Sequence, residues 1–352
     1  QGSLVKLQVP LQVVPWYARF FLGKESHGPA EPNNTVYGFE QVPDPSHATK
    51  LAMKDLTDVV RCQIFPEGTS AQASFQLEHP DGTPSSEIVA MTPTEPAEGP
   101  NDLRLVGLKP GRVIPKVLDT ESGRVLGELN ILVGELVKRR IGGVAVIEKT
   151  WKSPVAVDWG EIDKLVTERF LQAGVAIEFT AYPPESVTYD FNKDGRLDID
   201  SVLNDLDIGH ASDELKAIHS AAFREEVDVM LYAVNRGDST VGHRIVGCVM
   251  AIGHPAAFIF PDTLAQLHKQ LGVVENLTLP MVASHEVGHS LGLHHNLSEA
   301  GNLMYFTTHL GQVGPHLRAW QWAQLNPTIQ GAPDPPPPPE DPDIAPEDKP
   351  VS

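Results

Sequence analysis

Eleven consecutive residues constrain this chain more than any other feature: His285-Glu286-Val287-Gly288-His289-Ser290-Leu291-Gly292-Leu293-His294-His295. Residues four apart lie on one face of an α-helix, so His285 and His289 can aim their imidazoles at one point. Gly292 follows His289 by three residues, where a glycine can take a left-handed conformation and end the helix without steric cost. The chain then turns back, and His295 can reach the same point. A helix over about residues 280–291 is predicted, with Pro280 in its first turn, where a missing N–H leaves no gap in the ladder.

Three neutral imidazoles around one point suit zinc, which takes nitrogen ligands in a tetrahedron and in catalytic sites keeps its fourth position open for water. Glu286 sits beside the first ligand, where a carboxylate can hold and deprotonate the metal-bound water. His294 is out of register for the third-ligand place and is expected either to back the site or to face solvent. The competing reading is a histidine-rich helix end that binds nothing. It would require three spaced histidines, a glutamate and a glycine to coincide by chance.

The segment matches H-E-x-x-H-x-x-G-x-x-H and resembles the metzincin zinc peptidases. That family places a methionine in a tight turn under the metal, and Asn302-Leu303-Met304-Tyr305 resembles this Met-turn. Plain core packing of Met304 is compatible with it. Some members add a tyrosine ligand two positions past the methionine; here Phe306 occupies that position, so Tyr305 is not taken as a ligand. Asn296 follows the third histidine and matches none of the common choices, so the subfamily stays open. The resemblance covers roughly residues 139–328. It implies that the edge strand over about 246–252, with Gly247, Cys248, Val249 and Met250, binds substrate as an added strand. It also implies that residues 306–315 wall the pocket for the side chain after the cleaved bond, and that the enzyme is secreted, extracellular or periplasmic.

Upstream, the pattern is different. Leu7, Val9, Leu11 and Val13 alternate and predict a strand; residues 22–48 read as loop. Short strand-like runs follow at 59–65, 71–77, 87–92, 103–106, 113–118 and 125–133, separated by turn residues such as Asp81-Gly82 and Ser122-Gly123. This spacing predicts a β-sandwich and resembles immunoglobulin-like modules, without their Cys-Trp-Cys signature. From about Lys138 the period changes. Strands are expected at 141–148, 175–182, 227–234, 246–252 and 256–260, with helices at 159–173, 212–226 and 318–325.

With 352 residues and 41% apolar composition, two cores are expected. The fold class is therefore multidomain. An N-terminal all-β, immunoglobulin-like sandwich spans residues 1–137, and an α+β metzincin-like domain with a mixed twisted sheet and an active-site helix spans 138–330. An acidic, proline-rich tail over 331–352 lacks the apolar residues to build a core and is expected to be disordered.

A net charge of −19 disfavours nucleic acid and anionic membrane surfaces as partners, since both require a basic face. No apolar run reaches the 18 residues a membrane helix needs. The chain opens on Gln1, as expected where a signal peptide has been removed or lies outside the sequence. Two cysteines, Cys62 and Cys248, make no disulfide framework. Arg61-Cys62 with Pro66 faintly resembles the cysteine switch of latent metzincins, but Cys62 is read first as a small buried core residue. Asn33, Asn276 and Asn296 head glycosylation-type triplets.

Asp190, Asn192, Asp194, Arg196 (by its main chain) and Asp198 place oxygens at alternate positions around Gly195, which resembles the first half of a calcium loop. The bidentate position falls on Ser201 and departs from that pattern. A solvated acidic turn is the alternative.

The expected function is zinc-dependent endopeptidase action on a protein or peptide substrate by a monomer, with Glu286 as general base and acid. The rivals are a zinc-binding module or adhesin without turnover, and a latent enzyme whose first 138 residues block the cleft.

Overall fold

The computed structural model describes residues 17–21, 39–41, 47–65, 72–97, 99, 101–150, 155–199, 211–239, 245–272, 277–296, 299, 301–305 and 314–335. Several expectations fall outside this set: the strand at 4–15, Pro66, Asn33, Asn276, Ser201, Phe306, most of the 306–315 wall, and the tail beyond 335. The chain divides into two compact units between Val133 and Gly134.

The first unit is made of strands β1 (Tyr17–Phe21), β2 (Phe39–Gln41), β3 (His47–Met53), β4 (Thr57–Phe65), β5 (Ala73–Glu78), β6 (Val89–Thr92), β7 (Asn101–Gly107), β8 (Gly111–Asp119) and β9 (Val125–Gly134). They form two antiparallel sheets, in the orders β1-β4-β7-β6 and β2-β3-β9-β8-β5. Strict alternation along β4 buries Asp58, Val60, Cys62 and Ile64 and leaves the intervening residues half-exposed. β7 buries Leu103 and Leu105 on the same side. The apolar ones share one core with Val113, Val117, Leu129 and Ile131 of the other sheet, so the strand-like runs read from the sequence pack as two sheets.

One correction belongs to this unit. Residues 39–41 and 47–48, expected as loop, are strand: Phe39, Glu40 and Gln41 pair with Lys50, Thr49 and Ala48. Three residues are too few to show a period, and their pairing partner decides their conformation. Cys62 is fully buried among Phe20, Val60 and Leu103, and burial pushes its thiol up to about 12. A sulfur enclosed in this core packs as a small apolar side chain, the first of the two readings given to Cys62. Both cysteines are free.

The second unit is α/β in layout. It contains β10 (Val137–Glu148), α1 (Trp159–Leu171), β11 (Val175–Val187), β12 (Leu197–Ile199), α2 (Asp213–Ala222), β13 (Val229–Ala233), β14 (Gly237–Ser239), β15 (Gly247–Val249), β16 (Ala256–Ile259), α3 (Pro261–Leu271), α4 (Leu279–Ser290) and α5 (Ala319–Leu325). The main sheet runs β11-β10-β13-β16-β15; the first four strands are parallel and β15 runs antiparallel at the edge. β13 and β16 are buried along their whole length, as central parallel strands covered on both faces must be.

α1 opens on Asp158, whose Oδ1 accepts from the N–H groups of Gly160 and Glu161, and packs through Ile162, Val166 and Phe170. α3 was not expected from the sequence. Pro261 starts it, and Leu264 and Leu267 bury its inner face. β15 is three residues long, shorter than the 246–252 expected. A cut at Arg140 to remove the first unit would sever β10, whose residues Val137, Lys138 and Arg139 already pair with β11. Among the described residues no helix is long and apolar enough to cross a membrane.

Candidate metal centre

α4 is the spine of the site. Thr278 caps its start through Oγ1, and Met281, Val282, Ala283 and Val287 bury it against the sheet and α1. The helix stops at Leu291. Gly292 follows at φ +100°, with its N–H on His289 O at 3.0 Å and the Leu293 N–H on Gly288 O at 2.9 Å. These two bonds form a Schellman closure, which satisfies the last carbonyls and reverses the chain. A side chain at Gly292 would be strained there, so the glycine is what turns His295 back toward the helix.

The three histidines converge. Nε2 of His289 lies 3.1 Å from Nε2 of His285 and 3.0 Å from that of His295, and His285 and His295 stand 3.3 Å apart. Two tautomers are fixed by carbonyl groups, which can only accept. Nδ1 of His285 donates to Leu303 O at 2.8 Å, and Nδ1 of His289 donates to Leu293 O at 2.7 Å. In a neutral imidazole the other nitrogen then carries a lone pair. His289 is held neutral: burial, and then the neighbouring His285 and His295, keep its pKa well below the ordinary histidine value. Two inward lone pairs 3.1 Å apart cannot hydrogen-bond each other; a cation between them resolves the contact. Nitrogens about 2.0–2.1 Å from a tetrahedral zinc stand about 3.3 Å apart, close to the triangle seen here. The residues present therefore fit the metal. Among the described residues, this trio is the only set of three or more His, Cys, Asp or Glu ligand atoms lying within 4.8 Å of one another.

Glu286 is buried, and burial raises its carboxyl to about 8. A divalent cation nearby would favour the carboxylate and draw that value down. Its side chain lies against Gly247 of β15, where a β-carbon would come within 2.7 Å of Oε1. The Cys248 thiol is raised well above its usual value by burial and then by Glu286. Val249 and Met250 are both buried, Met250 within the core cluster that Cys248 packs against. His294 is exposed, leaving the solvent-facing alternative.

Met304 is fully buried and packs on α4 opposite Gly288, where a β-carbon would stand 2.6 Å from the methionine sulfur. Asn296 is buried and its N–H donates to Met304 O at 2.8 Å, so the residue after His295 is tied to the turn and is no place for a glycan. Gly288, Asn302 and Gln321 escaped the sequence reading. The closeness of Gly288 to His289 and of Asn302 to Met304 gave usable signals; nothing local marked Gln321.

The 190–198 loop uses its oxygens internally. Asp190 accepts from the N–H groups of Asp194 and Gly195, Asn192 accepts from that of Asp194, and Asp194 from that of Arg196, all at 2.9–3.1 Å. Asn192 donates to Asp198 at 2.9 Å. Two buried carboxylates hold the ends: Glu148 accepts from Tyr189 and Asp190, and Glu214 from Phe191 and Asp198. Asp190, Asp194 and Asp198 do not form a cluster of the kind the histidines make.

No protein-family model matches the sequence. No curated protein matches it either. Among solved structures, an archaemetzincin from Methanopyrus kandleri aligns at a TM-score of 0.36 and 15% identity, covering 54% of this chain and 95% of that one. The filamin domain of Lin-41 aligns at a TM-score of 0.18 and 18% identity, covering 27% of this chain and 93% of that one. Both likenesses are partial and distant.

Proposed function

We propose that this chain is a zinc-dependent endopeptidase, with His285, His289 and His295 as metal ligands and Glu286 as general base and acid. One observation carries the reading: three imidazole nitrogens form a triangle of zinc-ligand size, and carbonyl acceptors fix two of the three tautomers so that the lone pairs point inward. When bound, zinc supplies a Lewis acid for the scissile carbonyl and a water of lowered pKa. The chain's own residues do the rest. Glu286 takes the proton of the attacking water and delivers it to the leaving amine. β15, hydrogen-bonded on one side to β16, offers its other edge to an extended substrate. Gly292 and the Leu293 carbonyl hold the returning segment and His289 in place. The substrate class is protein or peptide.

The test is cleavage of an unfolded protein by the purified chain beside a chelator-treated sample and Glu286→Ala. The reading expects cleavage in the first only, with loss of about 10²-fold or more in the variant. Stoichiometric zinc binding without cleavage would favour the non-catalytic zinc module instead.

A further inference from the structure

The fold buries two amide side chains beside the metal centre. Asn302 is 1% exposed and Gln321, on α5, is fully buried. Nδ2 of Asn302 donates to Oε1 of Gln321 at 2.8 Å, and Nε2 of Gln321 donates back to Oδ1 of Asn302 at 3.2 Å. Each acceptor takes a second bond. Gln321 Oε1 accepts the Arg318 N–H at 2.8 Å, and Asn302 Oδ1 accepts the Met304 N–H at 2.9 Å. Buried amides are unfavourable unless paired, and this pair is satisfied in both directions, which fixes its orientation as an apolar pair would not.

The last of these bonds connects the clasp to the site. The Met304 N–H and the Leu303 C=O belong to one peptide unit, and a peptide unit is planar. Asn302 holds the N–H end of that plane. The C=O end accepts Nδ1 of His285 at 2.8 Å. The Leu303 N–H, on the preceding peptide, is held in turn by His316 O at 2.7 Å. A rotation of the 303–304 plane would therefore break the bond that sets the tautomer and tilt of His285.

We propose that the Asn302–Gln321 clasp is a positioning device for the metal: it fixes the 303–304 peptide plane and through it aims Nε2 of His285. Neither residue touches the ion. The inference rests on the zinc reading of the histidine trio.

Two variants of the full chain test it. Gln321→Met removes both amide bonds at similar volume. Gln321→Glu keeps the acceptor for Asn302 Nδ2 and Arg318 N–H and, assayed at alkaline pH where the new carboxyl is ionised, replaces the donor to Asn302 Oδ1 with a second acceptor, so it serves where the first does not fold. Zinc affinity is read by competition with a chromogenic chelator well below the melting temperature, and cobalt(II) is substituted to read ligand geometry from its visible spectrum. Wild type is expected to bind tightly, and His295→Ala to bind poorly. Both Gln321 variants should bind zinc about tenfold more weakly, with a displaced cobalt band. Folded variants with a lower melting temperature but unchanged zinc affinity and cobalt spectrum would overturn the inference and leave the zinc reading standing. A wild-type chain that binds no better than His295→Ala would overturn the zinc reading first and the inference with it.

Discussion

A β-carbon placed on Gly247 would lie 2.7 Å from Oε1 and 2.8 Å from Cγ of Glu286. The edge strand and the proposed general base thus occupy adjoining volumes, and the absence of a side chain at Gly247 is what lets the carboxylate stand where it does. Gly247→Ala should move Glu286 and leave the three histidines untouched. The expected outcome is a fall in kcat of about 10²-fold, the usual cost of misplacing a reacting group by about 1 Å, with zinc content unchanged by atomic absorption. An active Gly247→Ala enzyme would show that the carboxylate has room to spare.

Gly288 makes a second close approach: a β-carbon there would stand 2.6 Å from the sulfur of Met304. Gly288→Ala pits two effects against each other. Alanine in a helix interior gains about 1 kcal/mol over glycine, whereas overpacking a filled core loses about 1–3 kcal/mol. The second should win, because the methionine is fully enclosed. Denaturant melts should place Gly288→Ala below wild type, and Met304→Ala should restore part of the loss in the double variant by making room.

Metal should stabilise the second unit, since its ligands come together only in the folded chain. Zinc at 100 times its Kd adds about 2.7 kcal/mol. A chelator should lower Tm, added zinc should restore it, and His289→Ala should melt at one temperature with or without the metal. Equal shifts in wild type and His289→Ala would place the bound zinc elsewhere.

The contrast between what was legible and what was not follows sequence distance. His285, His289, Gly292 and His295 lie within eleven residues, so helix periodicity and one glycine define their arrangement. The strands of the first unit were legible because short strand-like runs alternate with turn residues at sandwich spacing. Asn302 and Gln321 meet only because α5 folds back on the turn at 302–304; Asn302 lies in the segment singled out for Met304, but nothing in the sequence marks Gln321 as its partner. α3 was legible and missed: Pro261, Leu264 and Leu267 carry the helical spacing. The alternate acids of the 190–198 loop illustrate a degenerate signal, since oxygens spaced to surround a cation are also spaced to accept the N–H groups of a tight turn.

Acidity should destabilise the second unit through its buried histidines, against a smaller opposing pull from Glu286 and Glu214, whose carboxyls burial raises and which therefore favour the folded chain as they protonate. Burial lowers the pKa values of His219 and His254, whose rings lie 5.0 Å apart, and of His316; His289 is depressed further. A histidine with a lowered folded pKa binds fewer protons folded than unfolded. Stability is therefore full above the unfolded value of about 6.5 and is lost as pH falls from there through the folded values. The metal-free chain should show Tm falling between about pH 6.5 and 5, and His219→Gln should flatten the slope. A Tm that rises on acidification through this window would reverse the sign of the argument.

Lys50 and Asp58 form an ion pair that joins the two sheets of the first unit, β3 to β4, with Lys50 fully buried. Burial lowers the lysine pKa, and Asp58 opposes the shift. Asp58 also accepts the Val59 N–H at 2.8 Å. Removing one partner of a buried ion pair is strongly destabilising, by about 3–5 kcal/mol. Replacing both with apolar residues of similar size removes the desolvation penalty along with the attraction and is often neutral or better. Asp58→Leu should therefore destabilise strongly, and Lys50→Met with Asp58→Leu should recover most of the loss. The measurement is a double-mutant cycle by urea melts. Additive losses would mean that the two charges are stabilised separately, by other partners of each strand.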